Sequence, residues 1–429
     1  MKTSGRAYDV IVVGAGPAGT STSIHLAKRG ARVALVERER FPRAKLCGEF
    51  ISPECAAHFK RLGVWEELNG AGGTRVGETI FFAESGRRAS VPSAWFDAET
   101  NGDSAACALG LSRAEMDHRL MLRARALGVE VWEETQVAAL LFADAERSRV
   151  EDDARGVSVD AGRRVEGVRV ERGGAELELR AAVTIDATGR ARALARRVGA
   201  KRDAAGESSK RGESGESSRR MPLVAFKAHL ENAECAASVC EIYFYRGGYG
   251  GLSRVEKGLS NLCFIVAAGD VRARASDAER VMREVVMSNR RAAETLKRAR
   301  VRSEWLAVAL ESFGRRELVP CEGLLTAGDA ASFIDPFTGS GMLMALESGE
   351  LAAETIGRAL QDLRADGSFA QLATNYRALY RERFAARLRV CSWLRRAAFA
   401  PRLATEAGIA ALGASTRMRR TLARATRPA

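Results

Sequence analysis

The stretch RFPRAKLCGEFISPEC, Arg40 to Cys55, puts two cysteines, Lys45 and a glycine close together. Residues of these types could ligate a metal, form a redox pair, supply a nucleophile or line a pocket. The other cysteines narrow the choice. The eight of them (47, 55, 107, 235, 240, 263, 321, 391) are scattered and include no C-x2-C pair. That scatter argues against a disulfide scaffold and a structural zinc site, and suits a reducing cytoplasm. The four histidines (25, 58, 118, 229) include no two at metal-ligand spacing, so neither a metal centre nor a His-based triad is expected. Cys47 has no neighbouring His, leaving Lys45 and a helix N-terminus to depress its pKa.

A second group of residues points to phosphate chemistry. Gly14, Gly16 and Gly19 spell G-x-G-x-x-G, interleaved with Ala15 and Ala18, directly after the apolar run DVIVV. The first glycine permits a tight turn, the second lets backbone approach a pyrophosphate, and the third allows helix to pack on strand. The helix that follows offers free N–H groups and a positive dipole to an anion. Glu37 ends the next strand eighteen residues after Gly19, where a carboxylate can take both ribose hydroxyls. An acid there favours an unphosphorylated ribose, as in FAD or NAD. A third group, LLTAGDAASFIDPFTGSGMLMALESGE, puts Gly328-Asp329 at a strand end. A loop with Pro336, Gly339 and Gly341 follows, and then a long helix.

These groups need elements to hold them. YDVIVVG reads as a buried strand, Pro17–Arg29 as a helix and ARVALVER as a second strand. A helix is expected from about Ser52 to Leu62, stopped by Gly63. ETIFFAES reads as a strand, and Leu111–Gly128 as a helix with a glycine stop. Residues 129–185 read as a β-meander, and 201–220 as a disordered loop with nothing apolar beyond alanine. Residues 241–269 read as two strands around a glycine-rich turn, 276–300 as a helix, and the chain from Ala370 as an Arg-rich helical tail. GGYGG (247–251) opens no helix, so no second dinucleotide fingerprint is present.

Four patches carry a resemblance to the FAD-dependent oxidoreductases built like p-hydroxybenzoate hydroxylase, and to their geranylgeranyl reductase-like branch. They are Gly14 to Glu37, the LCGE loop, SRAEMDHRL with DATG, and Gly328 to Gly341. The resemblance implies an α/β fold: a Rossmann-like (GR2-type) FAD-binding domain with an inserted α+β substrate domain carrying an antiparallel sheet, plus the helical tail. The expected division is 1–75, 106–200 and 318–365 for the FAD domain and 76–105 and 201–317 for the substrate domain, with 366–429 as the tail. The family Asp matching Asp329 binds a ribityl hydroxyl. The helix after Gly341 points its N-terminus at the flavin's pyrimidine edge. Arg113 matches an arginine along the FAD phosphates or ribose, and Asp186 and Gly189 match a strand-end motif near the nucleotide. Beside these motifs, Arg38, Val137 and Met342 complete the expected cofactor contacts. In the reductase-like branch a Cys-Gly pair faces the flavin pocket. Cys47 is thus a pocket wall, a proton donor or a redox-sensitive thiol, and is the one catalytic candidate. Cys55 reads as core. Phe81, Phe82, Phe226, Tyr243 and Tyr245 are candidate pocket-lining residues by strand position.

Several function classes recede. The net charge of +13 would fit nucleic acid, but from Cys391 on there are eight arginines against the single Glu406, and aromatic content is only 6%. The excess is mostly a property of the tail, and nucleic-acid binding gains little from it. The tail has two readings, a peripheral membrane contact or a capping helix with a frayed basic end. No secretory leader and no run of ~18 apolar residues is seen, so a cytoplasmic protein is expected. Oligomeric state is not readable. The expected activity is NAD(P)H-driven monooxygenation or C=C reduction of an apolar or aromatic small molecule, of secondary-metabolite or isoprenoid type. NAD(P)H would bind transiently. The alternatives are a flavin-dependent halogenase, weakened by the lack of a W-x-W-x-I-P motif, and an electron-transfer flavoprotein without an iron–sulfur cluster.

Overall fold

The computed structural model describes residues 7–96, 107–143, 164–198, 222–310, 313–365 and 368–427. The loop expected over 201–220 lies outside them.

The strand Ala7–Val13 forms the centre of a seven-stranded sheet and ends in the apolar run Val10–Val13, of which Val10, Ile11 and Val12 are fully buried. A strand without alternation must be covered on both faces. It pairs in parallel with Val33–Val36 on one side and the end of Ala175–Asp186 on the other. Strand Glu130–Trp132 extends the sheet in parallel beyond Val33–Val36. The long strand Ala175–Asp186 changes partner along its length. Its early part pairs antiparallel with Val165–Arg172, which pairs in turn with Gln136–Phe142, and these form the expected meander. Its last residues lie parallel to both Ala7–Val13 and Leu324–Thr326. Val13, Asp186 and Thr326 therefore end side by side, and the three loops after them leave from one edge. This is the carboxyl edge at which α/β sheets bind ligands.

The second sheet has eight strands and is antiparallel apart from the pairing of Val239–Tyr245 with Glu78–Phe82. It departs from expectation over 241–269, where three strands occur: Val239–Tyr245, Gly248–Arg254 and Ser260–Ala267. The glycines of GGYGG lie mostly inside the middle strand. A side chain at Gly248 would meet the Ile265 carbonyl oxygen at 2.0 Å, so close packing against the neighbouring strand keeps this position bare. The helix expected over 276–300 is two short ones, Ala278–Glu284 and Arg290–Leu296, each capped by its own side chain, Asp277 and Asn289. They cover one face of the sheet.

Helix Arg113–Ala126 starts on the Ser112 cap, and Cys55–Leu62 ends on Gly63. The long helix Phe369–Ala398 buries Tyr376, Tyr380 and Phe384, and its Arg387 forms a buried 2.5 Å ion pair with Glu347 of helix Gly341–Arg358. Helices Arg402–Ala414 and Thr416–Ala425 then cross the edge of the second sheet. The basic end is not frayed at Arg427. This residue is buried, pairs with Glu54 at 3.2 Å, lies over the Phe96 ring at 4.1 Å and donates to the Thr338 carbonyl at 3.3 Å. No helix among the described residues is long and apolar enough to cross a membrane.

Candidate active site

The site grows from the three strand ends. At the first, Gly14 adopts φ +103°, and a Cβ there would meet the Ala187 carbonyl oxygen at 2.4 Å. A Cβ on Gly19 would meet the Gly14 carbonyl oxygen at 1.9 Å. Turn and helix packing therefore both require glycine. Gly16 is the N-cap of helix Pro17–Ala27 and no side chain caps it. Ala15 and Ala18 are buried. Glu37 closes the loop from the next strand: Oε2 accepts from the Ala15 N–H at 2.9 Å, and Oε1 from the Glu39 N–H at 3.2 Å. Arg43 bridges Glu37 at 3.3 Å and Asp117 at 3.2 Å. Asp117 also takes both arms of Arg113, at 2.8 and 2.7 Å. One Arg113 Nη lies 3.6 Å from where a Cβ on Gly16 would be. Arg113 is thus laid over the phosphate-type loop. Burial opposes its charge, but the Asp117 carboxylate and then the nearby Cys47 thiol hold its pKa above the ordinary value.

At the second strand end, Asp186 is fully buried and its carboxylate accepts four hydrogen bonds. These come from Thr188 N–H and Oγ1 and from the Leu194 and Ala195 N–H groups, at 2.6–3.1 Å. This carboxylate therefore builds the turn that follows the strand. Gly189, at φ +71°, faces open space. The Val137 side chain is in the core and its carbonyl accepts from Arg197 at 2.9 Å. Arg38 is mostly exposed and pairs with Glu39 at 3.1 Å.

At the third strand end, Asp329 makes no side-chain hydrogen bond or ion pair among the described residues. Burial raises its carboxyl pKa, against the opposing charges of Arg190, Arg113 and Lys45. Lys45 is accessible to solvent, yet protein surrounds it on most sides, as at the floor of an open cleft. This desolvation, reinforced by Arg43 and Arg113 and opposed by Glu37, pushes its pKa down to about 8. Pro336 starts the turn Pro336–Thr338, capped by Asp335, and Gly339 ends it at φ +64°. Helix Gly341–Arg358 follows, with no side chain capping its N-terminus, open space at Gly341 and Met342 packed into the core.

Loop 45–49 ties this cleft to the second sheet. Glu49 has no solvent exposure; its Oε1 takes the Arg113 N–H at 2.9 Å and the Lys227 ammonium, and its Oε2 takes His229 Nε2 at 2.6 Å. Burial would raise this carboxyl, but His229 and Lys227 hold it below the usual range. Lys227 also donates to the Lys45 carbonyl at 3.2 Å, and Asn261 to the Cys47 carbonyl at 3.1 Å. The half-exposed Cys47 thiol accepts from the Glu49 N–H at 3.4 Å, with the Arg113 guanidinium beside it. Cys55 differs: it is fully buried against Ser52, and burial pushes its pKa up to about 12.

An aromatic wall adjoins the loop that starts at Pro336. Phe337 packs on Phe81, Phe244 and Tyr249 at 5.4–5.7 Å, and Tyr249 packs on Phe399 at 5.9 Å. Of the five expected pocket residues only Phe81 is on this side. Phe82, Phe226, Tyr243 and Tyr245 point to the helix-covered face, because neighbouring strand residues face opposite ways. The same alternation puts Lys227, His229, Asn261 and Cys263 together on paired strands. Two surface cavities of about 490 and 720 Å³ lie elsewhere, one over the helix-covered face and one at a charged rim. Neither touches the cleft. No cluster of metal-ligating residues occurs among the described residues.

Two uncapped helix N-termini, the Asp329 and Lys45 side chains without partners among the described residues, and open glycines on one sheet edge form a cradle for an extended, phosphate-bearing cofactor. These residues fit FAD. Fold and cleft together define an α/β flavoprotein oxidoreductase. The chain belongs to the FAD binding domain family, whose pattern matches residues 7–362. It is 27% identical to the menaquinone reductase of Mycolicibacterium smegmatis, over 81% of this chain and 75% of that one. It is 25% identical to digeranylgeranylglycerophospholipid reductase 2 of Methanopyrus kandleri, over 88% and 83%. A flavin-dependent halogenase of Armillaria mellea, armH3, is 31% identical, but over only 33% of this chain and 27% of its own length. In fold the chain is similar to a geranylgeranyl bacteriochlorophyll reductase-like protein of Thermoplasma acidophilum (TM-score 0.72, 19% identity, 97% and 96% covered). It is also similar to the flavin-dependent brominase Bmp2 (TM-score 0.71, 20% identity, 95% and 94% covered).

Proposed function

We propose that this flavoenzyme reduces a carbon–carbon double bond in an apolar, isoprenoid-type substrate, with NAD(P)H as the transient electron donor. The observation that carries the reading is Cys47, a half-exposed thiol held beside the cofactor cleft by the Glu49 N–H and the Arg113 guanidinium. The relatives matched over most of the chain support it, since both are named as reductases. FAD, once bound and reduced, supplies a hydride.

Each residue then has a stated task. Gly14, Gly16 and Arg113 bind the diphosphate, Glu37 the adenosine ribose and Asp329 the ribityl chain. The wall of Phe81, Phe244, Tyr249 and Phe337 orients an apolar chain and excludes water. Cys47 gives a proton to one carbon as the other receives hydride, so the double bond becomes CH–CH. Arg113 and the Glu49 N–H stabilise the thiolate left behind, and water returns its proton. NAD(P)H oxidation with polyprenyl substrate should give a product two hydrogens heavier, without matching O2 uptake. A product carrying a new oxygen atom and stoichiometric O2 consumption would establish monooxygenation instead.

A further inference from the structure

Helix Arg402–Ala414 packs Ile409 and Leu412 on the core, yet its outer face is apolar as well. Surface helices ordinarily turn charge outward and apolar residues inward. Here the two ionisable side chains bond to protein: Arg402 to Glu84 at 3.3 Å, and Glu406 to the Ser85 N–H and hydroxyl at 2.9 and 2.6 Å. The outward face is Leu403, 84% exposed, with Ala404, Ala407, Ala410, Ala411 and Ala414. Helix Thr416–Ala425 packs inward on Ala423 and exposes Met418 among Arg417, Arg420 and Arg424, none with an acidic partner among the described residues. The end of helix Phe369–Ala398 exposes Trp393 and Arg396 in the same way. Of the four exposed large hydrophobics among the described residues, three (Trp393, Leu403, Met418) lie on these consecutive helices.

We propose that this C-terminal surface docks the protein on an anionic lipid bilayer. Trp393, Leu403, Met418 and the alanine face enter the headgroup region while Arg396, Arg417, Arg420 and Arg424 meet lipid phosphates. Charge selects this occupant over a second copy of the chain, which would bring the same exposed arginines against each other. The inference is independent of the reaction proposed above. Each arginine near an anionic surface is worth about fivefold in partitioning.

The test is co-sedimentation of the full FAD-loaded chain with vesicles of phosphatidylcholine alone or mixed equally with phosphatidylglycerol. The protein should pellet with the anionic vesicles only and be released by high salt. The pair Arg420→Glu and Arg424→Glu should lower partitioning at least tenfold, as should Trp393→Ser with Leu403→Ser. All four side chains are exposed, so retained flavin absorbance separates lost docking from misfolding. Failure to pellet with anionic vesicles, or pelleting unchanged in both variants, overturns the proposal. So does light scattering showing a dimer that Leu403→Asp splits.

Discussion

Glu49→Gln tests whether the cleft depends on a buried charge centre. Glu49 is fully buried and its two oxygens serve Lys227, His229 and the Arg113 N–H, while the Lys227 side chain is only 3% exposed. Glutamine keeps the shape but removes the negative charge, leaving the Lys227 ammonium buried without a counter-ion. Breaking a buried pair from one side costs about 3–5 kcal/mol, a large share of the 5–15 kcal/mol available to a typical protein. Loop 45–49 and the start of helix Arg113–Ala126 share this carboxylate, so FAD affinity should fall along with stability. Urea denaturation followed by flavin fluorescence and circular dichroism reads both effects. In the double variant with Lys227→Met the orphaned charge is gone, so its cost should be smaller than the sum of the single costs by more than about 0.5 kcal/mol. A Glu49→Gln cost below about 1 kcal/mol, or strict additivity, would refute the reasoning.

Three further outcomes follow from the same geometry. In the ligand-free protein Lys45 is pushed down to about 8 from 10.5. The unfolded chain then holds more protons between those values, so apo stability rises with pH across that window. A bound diphosphate restores the ammonium, so FAD affinity should fall above about pH 8, by at most about tenfold per pH unit, and Lys45→Met should flatten this slope. Native protein should alkylate at Cys47 and not at Cys55, and Cys47→Ala should keep FAD while losing at least about tenfold in turnover, typical of a lost general acid; mass mapping and flavin spectra read these. Gly14→Ala should abolish FAD retention, because its Cβ would clash with the Ala187 carbonyl oxygen at 2.4 Å; a yellow purified variant would contradict this.

Much of the cofactor half was legible because its signals are local. Gly14, Gly16 and Gly19 are read from one turn, and Glu37 from its distance along a short strand–helix–strand unit. Asp329 is placed at a strand end by the pattern around it, and its expected role rests on the family resemblance. The substrate side was less legible. Phe226 and Tyr243 look like pocket residues by type, but only strand register shows which face each occupies, and register depends on distant partners. Asp186 is similar: the sequence places it at a strand end, but not the four donors that consume its carboxylate. Glu49, Lys227 and His229 come from segments almost 180 residues apart, and no spacing rule joins them. The one available signal was FKAHL, whose alternation puts Lys227 and His229 on one face of an otherwise apolar strand. Likewise, the sequence shows an Arg-rich tail, but not that Arg402 and Glu406 are taken up by Glu84 and Ser85, more than 300 residues away.

The most direct test of the central claim is a single turnover without oxygen. The FAD-loaded protein is reduced anaerobically, mixed with a polyprenol, which has no quinone ring to take the electrons, and followed by flavin absorbance and product mass. The account predicts reoxidation of the flavin with a product two hydrogens heavier, slowed at least about tenfold in Cys47→Ala. A flavin that stays reduced until air is admitted, with oxygen then appearing in the product, would contradict it.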